Sequence, residues 1–209
     1  PGCNLDLPLW QIVRASTAAP TFFPPEVIEI ADQGSGETKK QVFAFEDGGV
    51  TPFNNPAYLL YTMATLPEYR LGWPDGKDRM GLVSIGTGRV KTGRGAKLDE
   101  NLLGQAKAIP AALIGSAQWM QDLVCRQHGE CRYGDPLDSE LGDLVRPNPR
   151  AAFLYARYDR NVGDAEMEAA LKVSKRGFTL DNIELMDFLG EMGAAYAEKV
   201  VKLEHFDED

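Results

Sequence analysis

Residues 43–56 read Phe43-Ala44-Phe45-Glu46-Asp47-Gly48-Gly49-Val50-Thr51-Pro52-Phe53-Asn54-Asn55-Pro56. A short apolar run with strand character drives into a carboxylate and two glycines. Two asparagines and a proline then open a helix, with Asn55 as cap and Pro56 in the first turn. A carboxylate at a strand end, on backbone that glycine alone permits, is how α/β folds build active sites. Every other stretch is therefore of interest for whether it supports Asp47.

Upstream, the sequence predicts a helix that starts near Asp6 and Pro8, with Asp6 as cap, and runs through Trp10, Ile12 and Val13. Small residues follow, and Pro20 stops it. Ser16, Thr17, Ala18 and Ala19 let backbone elements approach closely, which suits packing beneath a site. Arg14 reads as a surface salt-bridge residue. The runs 27–30 and 41–45 are β-branched and aromatic, and the polar, Gly-rich residues 32–37 between them predict a hairpin with a mobile tip.

Downstream, Leu59, Leu60 and Met63 give the helix after Pro56 an apolar face. Residues 80–88 predict a buried strand that ends in a glycine turn, apolar enough for the middle of a parallel sheet. Residues 91–100 read as a loop, 101–107 as a short helix, and Pro110 as the start of a longer one that ends at Gly129. Residues 130–149 carry Gly and Pro without periodicity and read as an irregular connection. The whole of 89–150 is where substrate-side loops belong. Residues 152–158 are the last strand candidate. From Asp181, the stripe Leu185, Leu189, Met192, Tyr196, Val200 and Leu203 predicts a core-facing helix. Alternating strands and helices indicate an α/β layered fold, and no linker forces a two-domain split.

Composition narrows the function. The chain has 209 residues, 44% hydrophobic and 25% charged, which is ordinary for a globular protein. No run has the length of a membrane span, and no signal-peptide pattern is present. Pro1 in place of Met suggests a processed or truncated N-terminus, and an arbitrary boundary of the piece explains it equally well. The net charge of −9 argues against a nucleic-acid or polybasic lipid-binding surface. Three cysteines are too few for a disulfide framework, so free thiols in a reducing compartment, the cytoplasm, are expected. Only two histidines, His128 and His205, are present, and neither sits in ligand spacing. That leaves no metal site and little room for a Ser-His-Asp triad. His128 suits a helix C-terminus, and Cys125 lacks any nucleophile motif.

Three stretches taken together resemble the patatin-like phospholipase family. They are residues 10–25, with their Arg14-Ala15-Ser16-Thr17-Ala18-Ala19-Pro20 segment; Asp47-Gly48-Gly49 followed by Asn54-Asn55-Pro56; and Val83-Ser84-Ile85-Gly86-Thr87-Gly88. The strand near Phe153 and the final helix also look like that family's C-terminal portion. The resemblance implies a three-layer α/β/α sandwich with a mostly parallel sheet, whose N-terminal part is missing here, so that residues 1–209 are the C-terminal part of the catalytic domain.

It further implies a lipid acyl hydrolase, of phospholipase A or esterase type, with a Ser–Asp dyad and no cofactor. Asp47 matches the dyad base. The matching nucleophile, a serine in a G-x-S-x-G elbow, is absent, since Ser16, Ser84 and Ser116 all lack that pattern. The substrate would be a lipid or fatty-acyl ester, compatible with peripheral contact at a membrane. An exposed carboxylate is a weak base at neutral pH, so partial burial or a short hydrogen bond to the serine is what the chemistry asks of such a group. The plain alternative for Asp47 is a turn aspartate that caps the next helix. The alternative for the chain is a non-catalytic fragment or interaction module that lacks the nucleophile half.

Overall fold

The computed structural model describes residues 6–20, 22–32, 39–90, 102–179 and 181–206. In chain order its main elements are α1 (Leu9–Ser16), β1 (Glu26–Asp32), β2 (Lys39–Phe45), α2 (Ala57–Thr65), β3 (Gly81–Ile85), β4 (Arg89–Val90), α3 (Leu102–His128), β5 (Glu130–Tyr133), β6 (Leu154–Tyr158), β7 (Asn161–Val162), α4 (Asp164–Val173) and α5 (Met186–Val200). They fall into two compact units. One comprises residues 1–56 with 100–121, the other 57–99 with 122–209.

In the first unit, β1 and β2 form the expected antiparallel hairpin, with Glu26 opposite Phe45 and Glu29 opposite Val42. The tip, residues 33–38, lies outside the described residues, as does the expected loop 91–100. Helix α1 starts after Pro8, which occupies the N-cap without a side-chain bond, so Asp6 is not the cap. Among the described residues Arg14 makes no surface salt bridge. Its Nη2 donates to the Pro24 carbonyl at 2.8 Å, and its guanidinium lies 5.3 Å from the centre of the Phe23 ring.

The second unit holds the parallel sheet that gives the protein its α/β class, in the order β3-β6-β5. The middle strand is β6, not β3. All five residues of β6 are buried, whereas β3 alternates, with Val83 and Ile85 facing out. Period-two burial is the mark of a strand covered on one face. Strand β5 falls inside the stretch expected to be irregular. Its sequence, Glu-Cys-Arg-Tyr, alternates polar and apolar over only four residues and carries no β-branched residue, and all four are half-buried. Helix α3 runs as one 27-residue element through Pro110, where the sequence had suggested two helices. A proline forgoes one helical hydrogen bond at a cost of about 3 kcal/mol, which does not stop the helix here.

The core of this unit is Ala57, Leu82, Cys125, Phe153 and Tyr155, with Tyr58, Tyr61, Met80, Cys131 and Ala152 packed against it. Tyr61 and Phe153 lie 4.8 Å apart, and His128, the last residue of α3, sits 5.1 Å from Tyr58. Gly129 is required by packing: a Cβ there would lie 2.4 Å from the Phe153 ring. The final helix keeps the expected stripe in part. Helix α5 contains no buried residue, and Leu189 and Leu203 are exposed. The inner row is the expected Met192, Tyr196 and Val200 joined by Phe188, all half-buried, with the expected Leu185 fully buried just before the helix begins.

Gly129→Ala should cost about 1–3 kcal/mol by overpacking against Phe153. Urea unfolding followed by the near-ultraviolet aromatic signal measures that loss.

Candidate active-site turn

Strand β2 delivers the chain to Asp47, and the backbone there is anchored at once. The Asp47 N–H donates to the carbonyl of Ala18 at 3.1 Å, and Ala18 is fully buried. The run of small residues after α1 is therefore where the turn meets its own unit. Asp47 is the N-cap of a single 3-10 turn, Gly48–Val50, and the Gly49 N–H donates to its Oδ1 at 2.6 Å. The aspartate thus caps this short turn.

Thr51 closes the other side. Its hydroxyl donates to the Gly48 carbonyl at 2.6 Å and accepts from the Phe53 N–H at 3.1 Å. The Asn54 N–H donates to the Thr51 carbonyl at 3.3 Å. The result is a half-buried carboxylate with one oxygen fixed by a backbone N–H. Its other oxygen, Oδ2, has no hydrogen bond among the described residues. Such a group is oriented before any hydroxyl arrives, which is what a general base requires.

The glycines are needed for a different reason from the one expected. Neither Gly48 nor Gly49 has a positive φ, so the backbone itself does not demand glycine. Space does, at one of the two positions. A Cβ on Gly49 would lie 3.0 Å from Asp47 Oδ1 and 3.4 Å from Asn54 Oδ1, whereas a Cβ on Gly48 would meet nothing within 4 Å.

The three serines weighed above lie in local structure of their own. Ser84 is buried and its Oγ accepts from Arg157 Nη1 at 2.7 Å. Ser116 lies within α3 and its hydroxyl donates to the Ala112 carbonyl at 2.8 Å, while Ser16 ends α1. None stands on a strand-to-helix elbow. Asn55 is 1% exposed, deep in the fold. Burial pushes the Cys125 thiol up to about 12 and the Cys131 thiol up to about 11, so both are poor nucleophiles. Among the described residues no group of three or more His, Cys, Asp or Glu is arranged to hold a metal ion.

The turn after β3 has a buried support that sequence reading missed. Arg157 Nη2 pairs with Asp159 Oδ2 at 3.0 Å, Arg89 Nε reaches the same oxygen at 3.0 Å, and the Gly88 N–H donates to Asp159 Oδ1 at 3.1 Å. Gly86 is pressed against this pair, for a Cβ there would sit 2.2 Å from Asp159 Oδ1. One signal was present in the sequence. Opposite charges two residues apart, on and just past a strand, point to the same side.

A parallel-sheet α/β protein that presents an oriented carboxylate at a strand end is the class this geometry defines. No family model matches the chain. It is similar to Patatin-like protein 1 of Arabidopsis thaliana, with 35% identity over 94 residues, covering 42% of this chain and 22% of that protein. The similarity supports a patatin-like relationship at the family level. The match spans about a fifth of the relative's length.

Two outcomes follow from this geometry. Gly48→Ala should change stability by less than about 0.5 kcal/mol, while Gly49→Ala should cost about 1–3 kcal/mol, compared by thermal unfolding. At pH 8 the raised thiols leave little thiolate, so iodoacetamide should spare Cys125 and Cys131 in the native protein and modify both in urea, read by peptide mass spectrometry.

Proposed function

We propose that these 209 residues are the later part of the catalytic domain of a lipid acyl hydrolase. Asp47 is its general base, and the serine it serves lies outside this chain. The observation that carries this reading is the Asp47 carboxylate, tied through Oδ1 to the Gly49 N–H and open at Oδ2. The similarity to a patatin-like protein supports it independently.

In the acylation step, Asp47 Oδ2 takes the proton from the serine hydroxyl as that oxygen bonds to the ester carbonyl carbon. Collapse of the tetrahedral intermediate expels the alcohol, which leaves with that proton. Water then hydrolyses the acyl-enzyme. The substrate is a lipid or fatty-acyl ester, reached from the cytoplasm by peripheral contact with a lipid surface. The dyad needs no cofactor. Among the described residues no helix is long and apolar enough to cross a membrane.

A second reading is favoured by one observation. On α1, Leu9 and Trp10 are 75% and 67% exposed, and on β3 Ile85 is 78% exposed. Apolar surface of this kind suits an interaction module that another polypeptide completes. The two readings separate in one assay of the gene's full-length product on a fatty-acyl ester. The dyad reading expects Asp47→Asn to lower turnover by a factor of roughly 10² to 10⁴, with the 209-residue chain alone inactive. Unchanged turnover in the variant would assign Asp47 to the turn alone.

A further inference from the structure

Beside Asp47 stands one polar side chain that the fold does not use. The backbone of Asn54 closes the turn, yet its side-chain amide makes no hydrogen bond among the described residues. Asn54 is half-buried, so its amide stays open to a small partner from solvent. Its oxygen also faces the base. The position a Cβ would take on Gly49 lies 3.4 Å from Asn54 Oδ1 and 3.0 Å from Asp47 Oδ1. Two acceptors therefore lie beside a glycine that carries no side chain between them: the neutral Asn54 Oδ1 and the Asp47 carboxylate, whose Oδ1 takes the Gly49 N–H and whose Oδ2 stays open.

That arrangement selects its occupant by chemistry. A single-donor hydroxyl, such as that of a serine, satisfies one acceptor and leaves the other bare. A water molecule has two O–H donors and satisfies both. We infer that Asn54 and Asp47 together hold the water that hydrolyses the acyl-enzyme, an inference that rests on the reading of Asp47 as the dyad base. The water oxygen bonds to the acyl carbonyl carbon while one of its protons passes to the Asp47 carboxylate. Its other proton stays on the oxygen, directed at Asn54 Oδ1. Collapse of the tetrahedral intermediate breaks the bond between that carbon and the serine oxygen, which takes the proton back from Asp47. A free carboxylic acid leaves and the serine hydroxyl is restored. Asn54 thus acts in deacylation and has no part in acylation.

The two half-reactions can be timed separately. The gene's full-length product is mixed with a p-nitrophenyl fatty-acyl ester, and the pre-steady-state release of p-nitrophenol is compared between wild type and Asn54→Ala. The expected result is a burst whose rate constant is unchanged within about twofold, followed by a steady state slowed roughly tenfold, the worth of one hydrogen bond. KM should fall with kcat, because acyl-enzyme accumulates, and the thermal midpoint should stay at the wild-type value.

If Asn54→Ala does not fold, Asn54→Leu is read in its place, since it keeps the shape and removes the polar atoms. Burst and steady state slowed by the same factor, or neither slowed, would overturn the inference and leave Asn54 a turn residue. Asp47→Asn in the same experiment keeps the two failures apart. Full activity in that variant, or no esterase activity in the wild type, removes the dyad reading and the inference with it. An inactive Asp47→Asn beside a wild-type-like Asn54→Ala removes the inference alone.

Discussion

The hydrogen bond from the Gly49 N–H to Asp47 Oδ1, 2.6 Å long, is the contact on which the candidate site turns. It removes the rotational freedom of a short acidic side chain and commits one of its oxygens to the backbone. A carboxylate free to rotate would have to be ordered each time a hydroxyl approached, and that ordering raises the barrier. Here the ordering is part of the fold. The bond in turn needs Thr51 to hold the turn closed and Ala18 to receive the Asp47 N–H. It also needs a position 49 without a side chain. Three residues spread over the unit thus fix one oxygen.

The second unit has its own keystone. Arg157 and Asp159 are each 6–7% exposed, and together with Arg89 and Ser84 they hold the turn that leaves β3. Removing one partner from a buried pair leaves an uncompensated charge, a change worth several kcal/mol. Arg126 has a comparable place at the end of α3. It is 2% exposed, with Nε on Asp122 at 3.0 Å, Nη1 on Asp143 at 2.7 Å and Nη2 on the Asp135 carbonyl at 2.8 Å. These two arginines pin the segments that leave β3 and β5, in a sheet whose central strand is buried along its whole length.

The hairpin, β3 and β6 were legible in the sequence because apolar and β-branched residues mark them, and α2 from its Pro56 start, although its core side is Ala57, Tyr58 and Tyr61 and the expected Leu60 is exposed. Strand β5 was not, since Glu-Cys-Arg-Tyr forms a strand only because β6 offers it a partner. The order β3-β6-β5 was equally hidden: β3 and β6 are both apolar, and pairing rather than composition decides which is central. Pro110 misled because it usually marks a helix start, and the α5 stripe held at Leu185, Met192, Tyr196 and Val200 but not at Leu189 and Leu203, because apolar spacing says nothing about how far the covering surface extends.

At the site, Asp47 was legible as a strand-end carboxylate. The reason for Gly49 was not, because it depends on where the Asn54 side chain falls after the turn closes. Asn54 itself read as a turn residue. Only three-dimensional placement shows that its backbone does that work while its amide is left over.

The most direct test of Asp47 as half of a divided dyad is covalent trapping. The gene's full-length product is treated with a fluorophosphonate ester carrying an acyl-like chain, and the modified peptide is located by mass spectrometry. The account predicts one phosphonylated serine that lies outside these 209 residues, with labelling slowed roughly a hundredfold or more in Asp47→Asn. An adduct on a serine within the chain, or labelling at the wild-type rate in that variant, would contradict it.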